Sequence, residues 1–122
     1  MASEVKGFER LWKACFYSMA GFAAAWRFEA AFRQEVALTL VLTPAAIWLA
    51  TTPLELALLI GSCLLVLVVE LLNSAVEALT DRVGSERHEL SGRAKDLGSA
   101  AVFLSLVLLG VVWAGVAFNR FG

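Results

Sequence analysis

The chain has 122 residues, of which 60% are hydrophobic, and a formal net charge of −1. One small soluble domain of this length cannot bury so much apolar side-chain surface, so the composition excludes an ordinary soluble globular protein. We expect an integral membrane protein with a single domain over residues 1–122, too short for a second domain.

The first predicted element is an amphipathic helix at about residues 8–26. Apolar side chains recur three or four positions apart from Phe8 to Trp26, while Lys6, Arg10 and Lys13 lie largely off that face. This pattern is typical of a helix that lies on the inner leaflet of a membrane. The alternative is a core helix packed on the spans. Residues 1–13 mix both signs of charge with no compact apolar stretch, so we expect no cleaved signal peptide.

Three apolar stretches are long enough to cross a bilayer. Residues 97–118 carry no charge, and residues 54–81 form a second candidate. A third stretch is short, but it reaches a spanning length if its helix begins near Ala30 and if Arg33 and Glu35 lie at the water interface. The predicted spans are about 30–50, 54–81 and 96–119.

The basic residues indicate how these spans are oriented. Lysine and arginine occur before the first span and between residues 81 and 96, whereas the short link 51–55 has none. By the positive-inside rule, the N-terminus and the 81–96 loop face the cytoplasm. Charges of both signs alternate in that loop, which argues against nucleic-acid binding. Cys15 and Cys63 then lie at different depths and are poorly matched for a disulfide.

The second span carries a line of polar side chains. At about 100° per residue, Asn73 lies about 60° and Glu77 about 20° from Glu70, and Asp81 continues the line at the helix end. Ionisable groups at membrane depth are costly and mark functional sites. The alternative is polar contact between subunits that only stabilises an assembly. Because three spans can hardly shield three polar groups, we also expect a homo-oligomer.

Two carboxylates on this line are far enough apart for different roles. Glu77 lies near the cytoplasmic end, and Glu70 lies about 10 Å deeper along the helix axis, where a lipid headgroup can arrive. Glu29, at the junction of the surface helix and the first span, is at a similar depth. Oxygen ligands from Glu29 and Glu77 suit a magnesium ion that keeps water and phosphate oxygens as its other ligands. His88 is the only histidine, so a zinc site is not expected.

Three segments resemble a known family. Residues 70–81 read ELLNSAVEALTD and resemble the signature of the small bacterial integral-membrane diacylglycerol kinases, in which Glu, Asn, Glu and Asp stand at these spacings. Residues 29–35, EAAFRQE, and residues 84–102, GSERHELSGRAKDLGSAAV, are similar to the Gram-negative branch. Thr80 and Arg87 depart from the residues that are usual in that family.

The resemblance implies an all-α membrane protein of the bacterial inner membrane, a homotrimer with three transmembrane helices and a surface helix per chain, and sites between subunits. The implied reaction transfers the γ-phosphate of MgATP to the hydroxyl of 1,2-diacylglycerol. Glu70 would be the proton acceptor, supported by Asn73, and Glu29 and Glu77 would bind Mg²⁺. The implied ATP-binding residues are Arg10, Tyr17, Glu29, Glu77, Glu86, Arg87, His88, Lys95 and Asp96.

The resemblance also implies lipid contacts from the surface helix, the start of the first span, the outer turn and the third span. Besides Glu70, these are Ala14, Cys15, Phe16, Ser18, Met19, Ala23, Ala24, Ala25, Trp26, Ala31, Phe32, Arg33, Gln34, Glu35, Trp48, Leu49, Ala50, Thr51, Leu56, Ser99, Trp113, Ala114, Gly115, Val116, Ala117 and Phe118. Two alternatives stay open. The lipid alcohol could be undecaprenol, as in Gram-positive relatives, or the chain could be a non-enzymatic ion-conducting subunit.

Overall fold

A computed structural model describes residues 2–84 and 89–122, with side chains from residue 6 onward. Within these residues the chain forms four helices, α1 (Ala2–Phe28), α2 (Ala30–Leu49), α3 (Pro53–Val83) and α4 (Glu89–Phe121). Helices α2, α3 and α4 are each long and apolar enough to cross a membrane. This confirms the prediction of an all-helical chain with three such segments.

Helix α4 begins earlier than predicted. Residues 89–95 were expected to belong to a polar loop, but they form the first turns of α4, and Gly92 lies inside the helix. Glu89 and Arg93 are spaced to pair across one turn, at 3.7 Å, and Lys95 contacts α3. The loop prediction was wrong there because charged residues are equally suited to a solvated turn of helix.

Helix α3 lies between α2 and α4 and makes most of the contacts that hold the bundle together. Its buried side chains recur three or four positions apart and lead directly to Glu70, as Leu59, Ser62, Cys63, Val66 and Glu70. The apolar core is small and lies near the turn between α2 and α3, where Leu59 packs with Ala46, Leu49 and Val116. Much of the remaining apolar surface is exposed in the single chain, as expected for surface that meets lipid or other subunits.

A sharp junction separates α1 from α2. Glu29 has extended backbone angles, φ −117° and ψ 102°, and stands at the N-cap position of α2 without a side-chain capping hydrogen bond. The Arg33 guanidinium reaches back to donate to the carbonyl oxygens of Trp26, at 2.6 Å, and Arg27, at 3.4 Å. Helix ends leave such carbonyls without partners, so Arg33 stabilises the end of α1. The position of Glu29 is set by this junction.

The turn that joins α2 to α3 is held by side chains. Thr52 accepts a hydrogen bond from the backbone N–H of Glu55, at 3.1 Å, and Pro53 occupies the first turn of α3. The Glu55 carboxylate also accepts from the Thr51 backbone, at 2.8 Å, and from the Asn119 side chain, at 2.7 Å. The turn is therefore fastened to the far end of α4.

Candidate active site

Glu70 is the one charged side chain that is buried among the residues that the structure describes. It is 6% exposed, and within those residues it makes no ion pair or hydrogen bond. Because α3 packs between α2 and α4, most of this residue is buried within a single chain. An isolated carboxylate in such a place is costly to maintain, which favours a functional role.

Three other carboxylates act on Glu70 electrostatically. They are Glu29 at the α1–α2 junction, Glu35 on α2 and Glu77 on α3, and each is half-buried. The sequence predicted Glu29 and Glu77 as metal ligands and Glu35 as a lipid contact, but did not predict that Glu35 approaches Glu70. Like charges gathered in a poorly solvated place need cations or bound protons to balance them. The three carboxylates therefore make the surroundings of Glu70 electrostatically negative.

Asn73 connects this cluster to α4. Its side-chain nitrogen Nδ2 donates to Glu77 Oε1 at 3.3 Å. Its oxygen Oδ1 is buried and accepts no hydrogen bond from any residue that the structure describes. That oxygen lies against Gly98 on α4, in the place where a side chain of residue 98 would begin.

Lys95 on α4 meets Asp81 at the end of the polar line. The Lys95 Nζ atom donates to Asp81 Oδ1 at 2.6 Å, and both side chains are exposed. The helical spacing placed Asp81 on the polar line, and the family resemblance implied Lys95 as an ATP contact. Neither predicted that the two side chains would pair. Asp96, the next predicted ATP contact, is also exposed.

A cleft of about 540 Å³ lies between α1 and α3 beside this line. Glu29 and the predicted lipid contacts Ser18, Ala24 and Ala25 line one wall. The opposite wall, which the sequence analysis missed as a site, consists of Leu71, Ser74, Ala75 and Ala78. The spacing of these α3 residues by three or four positions is the signal that marks their shared face.

Comparison with known proteins places the chain in a family. The sequence model described as prokaryotic diacylglycerol kinase matches residues 16–117. The chain belongs to this family. It is 49% identical to the diacylglycerol kinase of Escherichia coli strain K12 over 122 residues, which is all of both chains. It is 56% identical to the Pseudomonas aeruginosa diacylglycerol kinase over 110 residues, covering 90% of this chain and 89% of the relative.

A third member of the family, the Haemophilus influenzae diacylglycerol kinase, is 53% identical over 102 residues, covering 84% of this chain and 86% of the relative. All three relatives are Gram-negative proteins with the same name. The resemblance inferred from residues 29–35, 70–81 and 84–102 is thereby confirmed.

In this member of the prokaryotic diacylglycerol kinases, the structure divides the predicted site residues into two groups. Glu29, Glu35, Glu70, Asn73 and Glu77 lie near one another, with the cleft beside them. A second group lies near the turn between α2 and α3 and packs in or around the apolar core; it consists of Leu49, Leu56, Trp113, Val116 and Ala117. Leu56 is fourteen residues from Glu70 on α3, or about 21 Å along the axis, so a single chain does not bring the groups together.

The remaining predicted contacts include both exposed and buried residues. Arg10 and Tyr17 are exposed on α1, and Phe32 is buried. Glu86, Arg87 and His88 lie outside the described residues. No group of three or more His, Cys, Asp or Glu side chains able to hold a metal ion is found in the described part of the chain. A site with two protein carboxylates, as predicted from Glu29 and Glu77, does not require such a group.

Proposed function

We propose that this chain is an ATP-dependent diacylglycerol kinase, which transfers the γ-phosphate of MgATP to the free hydroxyl of 1,2-diacylglycerol and gives phosphatidic acid and ADP. The observation that carries the proposal is the buried, unpaired Glu70 in a chain that aligns end to end with a protein of that name. The three relatives described above are all named diacylglycerol kinase, so neither alternative is favoured.

Glu70 is proposed as the general base of the reaction. As the lipid oxygen attacks the γ-phosphorus, its hydroxyl proton passes to the Glu70 carboxylate, and the bond from phosphorus to the ADP oxygen breaks. The carboxylate is available for this step because no cation pairs with it among the described residues. Its depth in α3 suits a substrate that stays in the bilayer while its headgroup reacts.

Glu29 and Glu77 are proposed to hold a divalent metal ion, Mg²⁺. Both carboxylates lie close to Glu70, and the Asn73 amide orients Glu77 through a 3.3 Å hydrogen bond. Hard oxygen ligands in small number suit Mg²⁺, which retains water and substrate phosphates in its coordination shell. When bound, the ion would neutralise charge on the phosphates. The Lys95 ammonium, held by Asp81, is positioned to add positive charge at the cytoplasmic end of the same line.

The cleft between α1 and α3 is proposed to receive the glycerol part of the lipid. Small and apolar residues make up most of its lining, and the hydroxyl groups of Ser18 and Ser74 and the carboxylate of Glu29 supply polar positions. A mostly apolar pocket with a few polar groups is the usual form of a lipid site. Residues Trp12 to Trp26 of α1 would lie at the cytoplasmic face of the inner membrane, where tryptophan side chains are favoured.

We propose further that the active enzyme is a homotrimer with its sites between subunits. The separation of the predicted lipid contacts into two groups supports this assembly. In a trimer, a neighbouring chain can supply the lipid contacts that lie far from Glu70 within one chain. The exposure of Arg10 and Tyr17 on α1 is consistent with the same arrangement.

Phosphate transfer in mixed micelles tests the proposal. Purified full-length protein, γ-labelled radioactive ATP and Mg²⁺ would be incubated with 1,2-dioleoylglycerol or with undecaprenol. We expect labelled phosphatidic acid and a loss of turnover when Mg²⁺ is removed by a chelator. A higher rate with undecaprenol would contradict the lipid assignment. Ion flux in liposomes without ATP turnover would contradict the kinase assignment altogether.

A further inference from the structure

Where α3 and α4 cross, the Asn73 amide occupies the space that a side chain at Gly98 would need. A Cβ atom added to Gly98 would overlap Asn73 Oδ1 and would lie 3.2 Å from Asn73 Cγ and 3.8 Å from its Cβ. All three atoms belong to the half-buried Asn73 side chain, so a side chain at position 98 would force that side chain to shift. The absence of a side chain at position 98 therefore allows the Asn73 amide to lie where it does.

The orientation of that amide follows from its partner on α3. An ionised carboxylate can only accept hydrogen bonds, so Glu77 selects the nitrogen side of the amide, and Nδ2 donates to Oε1 at 3.3 Å. The oxygen Oδ1 must then face α4. It is buried there without a hydrogen-bond donor among the described residues, and it lies over the Cα–H of Gly98, which is a weak donor.

We infer that Gly98 is a positioning residue for the kinase reaction, which acts through Asn73 on the carboxylate of Glu77. The inference rests on the proposed function, in which Glu77 binds the metal ion of MgATP. A methyl group at position 98 would displace the amide, and Glu77 would lose the donor that holds its carboxylate. Removal of a side chain that hydrogen-bonds to a metal ligand typically lowers metal affinity or activity by about 10- to 100-fold.

Gly98→Ala in the full-length enzyme is the direct test. We expect the Mg²⁺ concentration for half-maximal turnover to rise by about 10-fold or more, with a smaller change in kcat at saturating Mg²⁺. Gly110→Ala is the matched control, since it lies on the same helix and a Cβ there meets nothing within 4 Å in the described residues. The control should keep the Mg²⁺ requirement of the wild type. If Gly98→Ala and Gly110→Ala behave alike while the wild type turns over normally, the inference is overturned and the proposed function stands.

A double variant separates this positioning role from a general packing defect. Asn73→Ala removes the amide that a methyl group at position 98 would displace. The double variant Asn73→Ala/Gly98→Ala should therefore have the same Mg²⁺ requirement and the same midpoint of thermal unfolding as Asn73→Ala alone. If Gly98→Ala does not fold, recovery of folding in the double variant supports the inference, and failure of the double variant overturns it. A wild-type protein without turnover would overturn the proposed function and, with it, the role given to Glu77.

Discussion

Lys95 on α4 and Asp81 on α3 form an ion pair with 2.6 Å between Nζ and Oδ1, at the end of the polar line that begins with Glu70. The lysine side chain is 46% and the aspartate side chain 67% exposed. Pairs so exposed contribute little to stability because water and salt screen them. The contact matters more for where it holds the Lys95 ammonium, beside the residues proposed to bind MgATP.

Asp81→Asn should therefore impair nucleotide binding more than folding. Loss of the ion pair should hardly change the free energy of unfolding, because both side chains are exposed, whereas the KM for MgATP should rise by a few-fold. Thermal unfolding and the KM for MgATP measure the two effects. Glu89→Gln breaks the 3.7 Å pair with Arg93 on α4 and serves as the control. Equal changes in KM for the two variants would contradict the role of Asp81.

Glu70→Gln is expected to lower turnover by at least about 100-fold while MgATP binding stays nearly intact, because the amide keeps the shape of the side chain but cannot accept the proton. The measurements are the rate of phosphatidic acid formation and the affinity for a non-hydrolysable ATP analogue. Glu55→Gln, in the first turn of the same helix, is the control and should retain turnover. Full activity of Glu70→Gln would rule out the general-base role.

Glu77→Gln should affect MgATP binding more than turnover, the reverse of Glu70→Gln. Removing one of the two carboxylates proposed for the metal ion weakens MgATP binding and raises the Mg²⁺ requirement, since an amide oxygen carries no net charge. Turnover at saturating MgATP should fall less than in Glu70→Gln. The affinity for the same ATP analogue, titrated at several Mg²⁺ concentrations, measures this difference. Equal loss of affinity in both variants would mean that the two carboxylates do not have the separate roles proposed.

Ser74→Leu tests the cleft between α1 and α3. The larger side chain would occupy space next to Ser18 and Ala25 and should raise the KM for diacylglycerol while leaving the KM for MgATP unchanged. Assays at varied lipid mole fraction in mixed micelles measure the first value. Leu72→Phe, on an exposed face of the same helix, is the control. If the lipid KM is unchanged in Ser74→Leu, the glycerol group binds elsewhere.

Much of the fold could be read from local patterns. Apolar stretches of bilayer length predict α2, α3 and α4, since their apolar side chains must avoid water whatever the helices pack against. The helical repeat alone places Glu70, Asn73 and Glu77 on one face. The same local reading failed at residues 89–95, because polarity does not distinguish a solvated helical turn from a loop.

The contacts between elements could not be obtained in this way. Which face of α3 turns inward, how far α4 slides along it, and how sharply the chain bends at Glu29 depend on the packing of whole helices. That packing buries Glu70 within a single chain, brings Glu35 towards it, sets Gly98 against Asn73 and places Lys95 beside Asp81. Local periodicity repeats every turn and carries no information about the axial register between neighbouring helices. The residue types alone therefore indicated the chemistry, whereas only the packing of the helices showed which residues contact one another.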